Sequence, residues 1–244
     1  PVDPQGRGGE RFEGLLPPVA TAPCFAIRKP AVKVHRLLDY IADGMLAPVQ
    51  ADLLRRAVVN RKNILIAGGT SSGKTTFANA LLAEMAHLDE RIILIEDTRE
   101  LQCAAPDTVA LRTRPGVVGM AELVRSTLRL RPDRIVVGEV RGAEALEMLK
   151  AWNTGHPGGI ATLHANSAHA ALYRLEQLVA EGVVTVPRRL IAEARDGWVL
   201  ARGGDVGRRT ETVAEVGGLD GDGGYAVTDL NPPQLKALLR GDLP

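Results

Sequence analysis

A glycine-rich segment between two apolar stretches carries the clearest chemical signal in the sequence. It reads GGTSSGKTT and consists of Gly68, Gly69, Thr70, Ser71, Ser72, Gly73, Lys74, Thr75 and Thr76. The pattern of a glycine, four residues and Gly-Lys-Thr is typical of a P-loop, whose backbone N–H groups surround phosphates. Lys74 would reach the β- and γ-phosphates, and Thr75 would ligate Mg²⁺. We therefore predict that the chain binds ATP with Mg²⁺ and hydrolyses it.

Acidic residues follow two other apolar runs. Glu96 and Asp97 end the run RIILIED, and Glu139 lies near the end of RIVVGEV, which we predict as a strand over 134–140. In open α/β sheets, ligands bind at the carboxyl ends of the strands. A carboxylate there can hold Mg²⁺ through water or orient the attacking water. Both glutamates are candidate catalytic residues, and which of them is the base stays open.

A histidine and several arginines also follow predicted strands. His164 ends the run GIATLH and could donate a hydrogen bond to a γ-phosphate, although a lone histidine is more often structural. Arg99, Arg112 and Arg114 could neutralise phosphate charge, either in their own subunit or from a neighbouring one. For each arginine alone, a surface salt bridge is the better interpretation.

The elements that must position these residues alternate along the chain. Apolar runs predict strands over 63–67, 91–96, 109–111, 134–140 and 159–164, of which the first fits a buried parallel strand. Apolar residues spaced by three or four predict helices around 35–43, 49–60, 77–85, 123–128, 145–152, 172–179 and 187–195. This alternation indicates an α/β fold with a mostly parallel sheet covered on both faces.

The sequence divides into three parts. Residues 1–34 are rich in Gly and Pro and contain a strand-like run at 24–28, residues 35–60 form a helical linker, and residues 61–244 form the ATPase domain. From about residue 196, short runs between Gly-rich turns predict a small antiparallel meander as a C-terminal appendage. Asn231-Pro232-Pro233 predicts the start of a last helix.

Composition limits the possible functions. The net charge is +1, from 30 basic and 29 acidic residues, and this balance argues against direct nucleic-acid binding. The two cysteines, Cys24 and Cys103, argue against a disulfide framework or a zinc ribbon, and we expect both to be buried, reduced thiols. No apolar run approaches the roughly 20 residues needed to cross a bilayer.

Taken together, the motifs resemble the traffic ATPases of type II and type IV secretion, a family of the RecA-like P-loop class. Besides the P-loop, the resemblance rests on the segments IEDTREL (95–101), LRTRPG (111–116), LRPDRIVVGEVRG (130–142) and AWNTGHPGGIATLHANS (151–167). The resemblance covers about residues 10–230 and is strongest to the conjugal-transfer branch of type IV secretion. The absence of any CxxC separates the sequence from the type II assembly ATPases, which carry a four-cysteine zinc motif.

The resemblance implies roles for individual residues. Lys74 and Thr75 would be the Walker A pair, Glu96 a catalytic acid or base, Glu139 the Walker B acid and a metal ligand, and His164 the sensor. It also implies a RecA-like core, a hexameric ring, inner-membrane secretion-channel proteins as partners, and a cytoplasmic location peripheral to the bacterial inner membrane.

The resemblance extends into the first part of the chain. Residues 9–20 and 25–30 look like the end of the family's N-terminal domain, most of which we expect to lie outside the sequence. Arg11 and Arg28 in these segments could therefore meet the γ-phosphate.

Three other functions remain open at this point. One is a pilus assembly or retraction ATPase, and another is a nucleic-acid translocase, which the balanced charge and the eight aromatic residues disfavour. The last is a regulatory module that binds nucleotide without turnover, against which the two strand-end glutamates argue.

Overall fold

The computed structural model describes residues 11–29, 34–192, 198–202 and 210–230. The chain divides into two compact units, residues 1–34 and 35–244. The predicted last helix, which begins at Asn231, lies outside the described residues. In those that are described, no helix is long and apolar enough to cross a membrane.

The first unit contains a two-stranded antiparallel sheet. Strand β1 (Arg11–Leu15) pairs with β2 (Cys24–Arg28), with Arg11 opposite Arg28. Every residue of β2 is exposed, because a two-stranded ribbon has no second layer of its own to bury its side chains. The expectation of two buried thiols was therefore wrong: Cys24 is exposed and Cys103 is half-buried, and both are free.

The second unit alternates strands and helices. Its strands are β3 (Ile64–Gly68), β4 (Arg91–Glu96), β5 (Asp107–Arg112), β6 (Arg134–Val137), β7 (Ile160–Leu163), β8 (Trp198–Arg202), β9 (Thr210–Leu219) and β10 (Tyr225–Asp229). Its helices are α1 (Leu37–Ala42), α2 (Pro48–Val59), α3 (Lys74–Glu84), α4 (Met120–Thr127), α5 (Glu144–Asn153), α6 (Ala168–Ala180) and α7 (Arg188–Ala192), and a 3₁₀ turn follows α4 at Leu128–Leu130. The α/β alternation predicted from the sequence is confirmed.

The strands of this unit form one sheet in the order β10-β9-β8-β3-β7-β6-β4-β5. The six strands from β8 to β5 are parallel, and β9 and β10 add to the β8 edge in antiparallel fashion. We expected Trp198 to belong to an antiparallel meander. It does, because β8 pairs antiparallel with β9 and β9 with β10. In addition, β8 pairs in parallel with β3, because the helices α6 and α7 return the chain to the starting end of the sheet before β8 begins.

Two apolar cores cover the two faces of the sheet. Along β3, Ile64 and Ile66 pack with α1, α2 and α3, whereas Leu65 and Ala67 pack with the helices from α4 to α7. A strand that is buried on both faces needs apolar residues at successive positions, which explains the continuous run ILIA. Residues 35–60, expected as a linker, contribute to the first core. Tyr40 of α1 contacts Phe77 of α3 edge-on, with 5.0 Å between ring centres.

Charged residues at the amino ends of the strands form what we call the amino-end network: Arg61, Glu90, Asp133 and Arg134. Arg134 is 0% exposed, and its guanidinium pairs with Glu90 and donates to the carbonyl of Val58 at 2.8 Å. Arg61 lies 3.2 Å from Glu90 as an ion pair and donates to the carbonyl of Asp133 at 3.1 Å. This network joins the segments that precede β3, β4 and β6.

Candidate nucleotide site

The loop between β3 and α3 has the backbone shape that a phosphate cradle requires. Ser71 (φ +62°) and Gly73 (φ +84°) are both left-handed, and α3 begins directly afterwards at Lys74. Alternating left- and right-handed residues turn successive N–H groups toward one centre, and glycine adopts such a φ without strain. Ser72 is 1% exposed, and its hydroxyl has no hydrogen-bond partner among the described residues. The loop therefore offers convergent donors at a helix N-terminus.

Lys74 lies across the inside of this loop. It is 8% exposed, and its ammonium donates to the carbonyls of Gly68 and Gly69, each at 2.9 Å. Burial lowers the pKa of Lys74, while the charge of Glu139 acts in the opposite direction. A buried ammonium of this kind is poorly hydrated, which strengthens its attraction for an anion.

The remaining loop residues differ in exposure. Thr70 and Ser71 are exposed, whereas Gly69 and the first-turn residues Thr75 and Thr76 are half-buried. The threonine hydroxyls thus lie on the first turn of α3, where the positive end of the helix dipole is found.

Glu139 lies in the turn that follows β6. We predicted a strand over 134–140, but β6 ends at Val137, because the hydroxyl of Thr162 donates to the carbonyl of Gly138 at 2.7 Å in place of a ladder bond. The N–H of Val140 then donates to the carbonyl of Thr162 at 2.8 Å. These two bonds hold the turn against β7 and place Glu139 beyond the carboxyl end of the sheet.

His164 bridges the space between Lys74 and Glu139. Its Nδ1 lies 3.5 Å from the ammonium of Lys74, and its Nε2 lies 2.7 Å from Oε1 of Glu139. That oxygen nevertheless has no aligned hydrogen-bond donor among the described residues, so the contact with His164 is a close approach rather than a formed bond. Which ring nitrogen of His164 donates depends on its tautomer.

An arginine that we did not assign from the sequence completes this group. The guanidinium of Arg141 pairs with Oε2 of Glu139 and lies 3.6 Å from Asp97. Asp97 in turn accepts a hydrogen bond from Thr113 at 2.7 Å. The sequence feature that could have pointed to Arg141 is its position two residues after Glu139, in a loop at the same edge of the sheet. We call Lys74, Asp97, Glu139, Arg141 and His164 the carboxyl-end cluster.

Glu96 is close to this cluster but differently surrounded. It is 4% exposed, and its Oε1 accepts the N–H groups of Glu100 at 2.9 Å and Leu101 at 2.8 Å. Burial raises the pKa of Glu96, and the two backbone hydrogen bonds oppose that rise. It packs against Gly138, where an added Cβ would lie 3.0 Å from its Cγ. Glu96 thus packs against the turn that carries Glu139.

The strand order separates the candidate arginines from the P-loop. Arg112 is the last residue of β5, four strands from β3, which corresponds to about 19 Å at the usual strand spacing. Arg99 is exposed in the loop after β4. Arg114 lines an open groove of about 460 Å³ that runs from Asp97 along residues 113–120 to Glu122. For Arg112, this placement favours the alternative of action on a neighbouring subunit.

Arg11 and Arg28 belong to the first unit, where they are opposite each other on β1 and β2. Their expected contact with the γ-phosphate stays a prediction.

The site residues suit a magnesium ion that is shared with a nucleotide. Across the described part of the chain, no three His, Cys, Asp or Glu residues are grouped so that they could hold a metal by themselves. Magnesium in P-loop sites needs only a hydroxyl and a carboxylate, because phosphates and waters supply the rest. Thr75 and Glu139 are such a pair, and Oε1 of Glu139 is an acceptor without an aligned donor.

Comparison with known proteins places this site in a family context. The family model described as "Type II/IV secretion system protein" matches residues 13–194. The conjugal transfer protein TrbB of Rhizobium radiobacter is 50% identical over 213 residues, covering 86% of the chain and 66% of that relative. The type IV secretion system protein VirB11 of Bartonella henselae is 36% identical over 214 residues, covering 71% of the chain and 60% of that relative.

A solved structure has the same fold. The crystal structure of the VirB11 ATPase from the Brucella suis type IV secretion system, in complex with sulphate, is 30% identical with a TM-score of 0.59. The match covers 98% of the chain and 75% of that structure's chain. The chain therefore spans between 60% and 75% of the lengths of these three proteins.

Proposed function

Because the chain belongs to the family of type II/IV secretion system proteins, we propose that it is an ATPase that powers a type IV secretion or conjugal DNA-transfer machine. The observation that carries this proposal is the line of contacts on the P-loop from Lys74 through His164 to Glu139. A bare nucleotide-binding turn needs the loop and the lysine alone. The added histidine and carboxylate are groups that can respond to a γ-phosphate.

In this proposal the P-loop binds the phosphates of ATP. The N–H groups of the loop and the ammonium of Lys74 neutralise the β- and γ-phosphates, and Lys74 exchanges the carbonyls of Gly68 and Gly69 for phosphate oxygens. Thr75 and Glu139 would hold Mg²⁺, which supplies further charge neutralisation to the phosphates. Both residues face the carboxyl end of the sheet, where ligands of such folds bind.

Glu96 and Glu139 have different roles in this proposal, one as the base and one as a metal ligand. Burial raises the pKa of Glu96, which makes its ionised form a stronger base than an ordinary glutamate. Its Oε1 already accepts two backbone N–H groups, so Oε2 would accept the proton of the attacking water. Glu139, which shares its oxygens with basic groups, suits the metal position instead.

His164 would sense the γ-phosphate. It lies between Lys74 and Glu139, so the departure of the γ-phosphate changes what both of its ring nitrogens face. Arg112, at the far end of the sheet, would act on the nucleotide of a neighbouring subunit, and contact of Arg11 and Arg28 with the γ-phosphate stays a prediction.

The assembly is proposed by analogy with the family. We propose a hexameric ring in the cytoplasm, docked on inner-membrane channel proteins of the secretion machine. Sedimentation of the full-length protein with ATP should then give a mass close to that of a hexamer. Restoration of DNA transfer in a donor that lacks the gene would test the conjugal role.

The catalytic part of the proposal is tested by Lys74→Ala in the full-length protein. Loss of the ammonium should lower phosphate release by about 10²-fold or more, because a charge-stabilising donor to the γ-phosphate is removed. Phosphate release from ATP is measured, with unfolding temperature as a check of the fold. Lys150→Ala is the control, since Lys150 is an exposed lysine of α5 that pairs only with Glu147 among the contacts described. Equal turnover in both variants would refute the proposal.

A further inference from the structure

Arg141 and a metal ion need the same carboxylate. Oε2 of Glu139 is paired with the guanidinium of Arg141, and Oε1 lies 2.7 Å from His164. A carboxylate that joins the water shell of Mg²⁺ has to offer an oxygen to it. Oε1 has no aligned donor, but while Arg141 holds Oε2 its positive charge opposes a second cation on the same carboxylate, so release of Oε2 favours the binding of a metal.

The surroundings of Arg141 provide for such a release. Its backbone is held, because its own N–H donates to Glu144 at 2.6 Å and the N–H of Gly142 donates to the same oxygen at 2.9 Å. Its side chain is 53% exposed and therefore has room to move. A second carboxylate, that of Asp97, already lies 3.6 Å from the guanidinium and is fixed by Thr113. The guanidinium can thus exchange one acidic partner for another without losing its charge compensation.

We propose that Arg141 is a positioning residue that competes with Mg²⁺ for Glu139, and that Asp97 is the alternative partner which receives Arg141 when the metal is bound. This inference deepens the proposed ATPase function and rests on it. The consequence is a site that responds to Mg²⁺ together with nucleotide rather than to nucleotide alone.

The pairing could instead be an ordinary surface salt bridge, which contributes little to stability. The two possibilities differ in the Mg²⁺ dependence of nucleotide binding, because a surface pair has no reason to change it. Binding of a fluorescent ATP analogue to the full chain is therefore measured over a series of Mg²⁺ concentrations, without any requirement for turnover.

The test variant is Arg141→Gln, and its matched control is Arg125→Gln. Arg125 has the same exposure, 53%, and also approaches a glutamate, Glu147, at 3.9 Å. We expect Arg141→Gln to lower the Mg²⁺ concentration for half-maximal binding by about 2- to 5-fold, the range for removal of one exposed ion pair. Arg125→Gln should leave that concentration unchanged. An unchanged or raised midpoint in Arg141→Gln overturns the inference.

A double-mutant cycle separates exchange between partners from a general effect of charge. Asp97→Asn should raise the Mg²⁺ midpoint, because Arg141 then loses the charge of its second ion-pair partner and stays longer on Glu139. In the Arg141→Gln background this effect should largely disappear. An equal effect of Asp97→Asn in both backgrounds would show that Asp97 does not act through Arg141. Failure of the wild-type chain to bind the analogue at any Mg²⁺ concentration would instead refute the ATPase function, and the inference with it.

Discussion

The two ends of the parallel sheet both collect charged residues, but they use them differently. At the amino end, Arg134 is fully buried and its guanidinium contacts Glu90 and a backbone carbonyl. At the carboxyl end, Arg141 is half-exposed and contacts two carboxylates that belong to different strand ends. One arginine is enclosed by its partners, and the other faces two carboxylates at the surface.

The difference follows from burial. A charge removed from water has to be fully paired, and breaking that pairing leaves an uncompensated charge. A half-exposed charge can move between partners at little cost, since water compensates during the exchange. The amino-end network is therefore suited to hold the strands in register, and the carboxyl-end cluster is suited to respond to a ligand.

The largest expected effect is the loss of free energy of unfolding when the buried arginine is replaced, compared with replacement of the half-exposed one. Arg134→Met keeps much of the side-chain volume but removes the charge, and should lower the free energy of unfolding by about 3 kcal/mol. This is the low end of the range for buried pairs, because Glu90 keeps Arg61 as a partner. Arg141→Met should cost about 1 kcal/mol or less. Urea denaturation of both variants measures the difference, and equal costs would remove the distinction between the two ends.

Replacement of one glycine at each end of the sheet should affect stability at the amino end and hydrolysis at the carboxyl end. At Gly159, before β7, an added Cβ would lie 2.0 Å from Nε1 of Trp152, so Gly159→Ala should lower stability by about 1–3 kcal/mol through overpacking. At Gly138, after β6, the added Cβ would meet the Cγ of Glu96 at 3.0 Å, and Gly138→Ala should chiefly reduce hydrolysis. Unfolding and phosphate release are measured on both. The comparison would fail if Gly138→Ala were the more destabilising change.

The smallest expected effect concerns Glu96, whose replacement should stabilise the folded chain, whereas the changes above should destabilise it. Burial raises its pKa, so the folded chain retains a proton that the unfolded chain has already lost, and stability falls as pH rises through the raised pKa. Glu96→Gln cannot ionise and still presents an oxygen to the N–H groups of Glu100 and Leu101. It should therefore unfold at a higher temperature than the wild type at about pH 8, with the gap closing near pH 4. A variant less stable than the wild type at pH 8 would contradict this account.

Local sequence determined the P-loop and the order of the elements. The turn at Ser71–Lys74 follows from its glycines and its place between an apolar strand and a helix, and such local chemistry needs no distant partner. The same holds for the alternating strands and helices from β3 to α6, whose apolar residues pack in the two cores on either face of the sheet.

The tertiary structure alone decided which of those residues meet. The order of strands places Glu139 and His164 beside Lys74, moves Arg112 four strands away, and aligns β8 parallel to β3. It also ends β6 two residues before Glu139 and brings Arg141 between two carboxylates. These outcomes depend on contacts between segments far apart in the chain, which hydrophobic spacing within one segment does not encode.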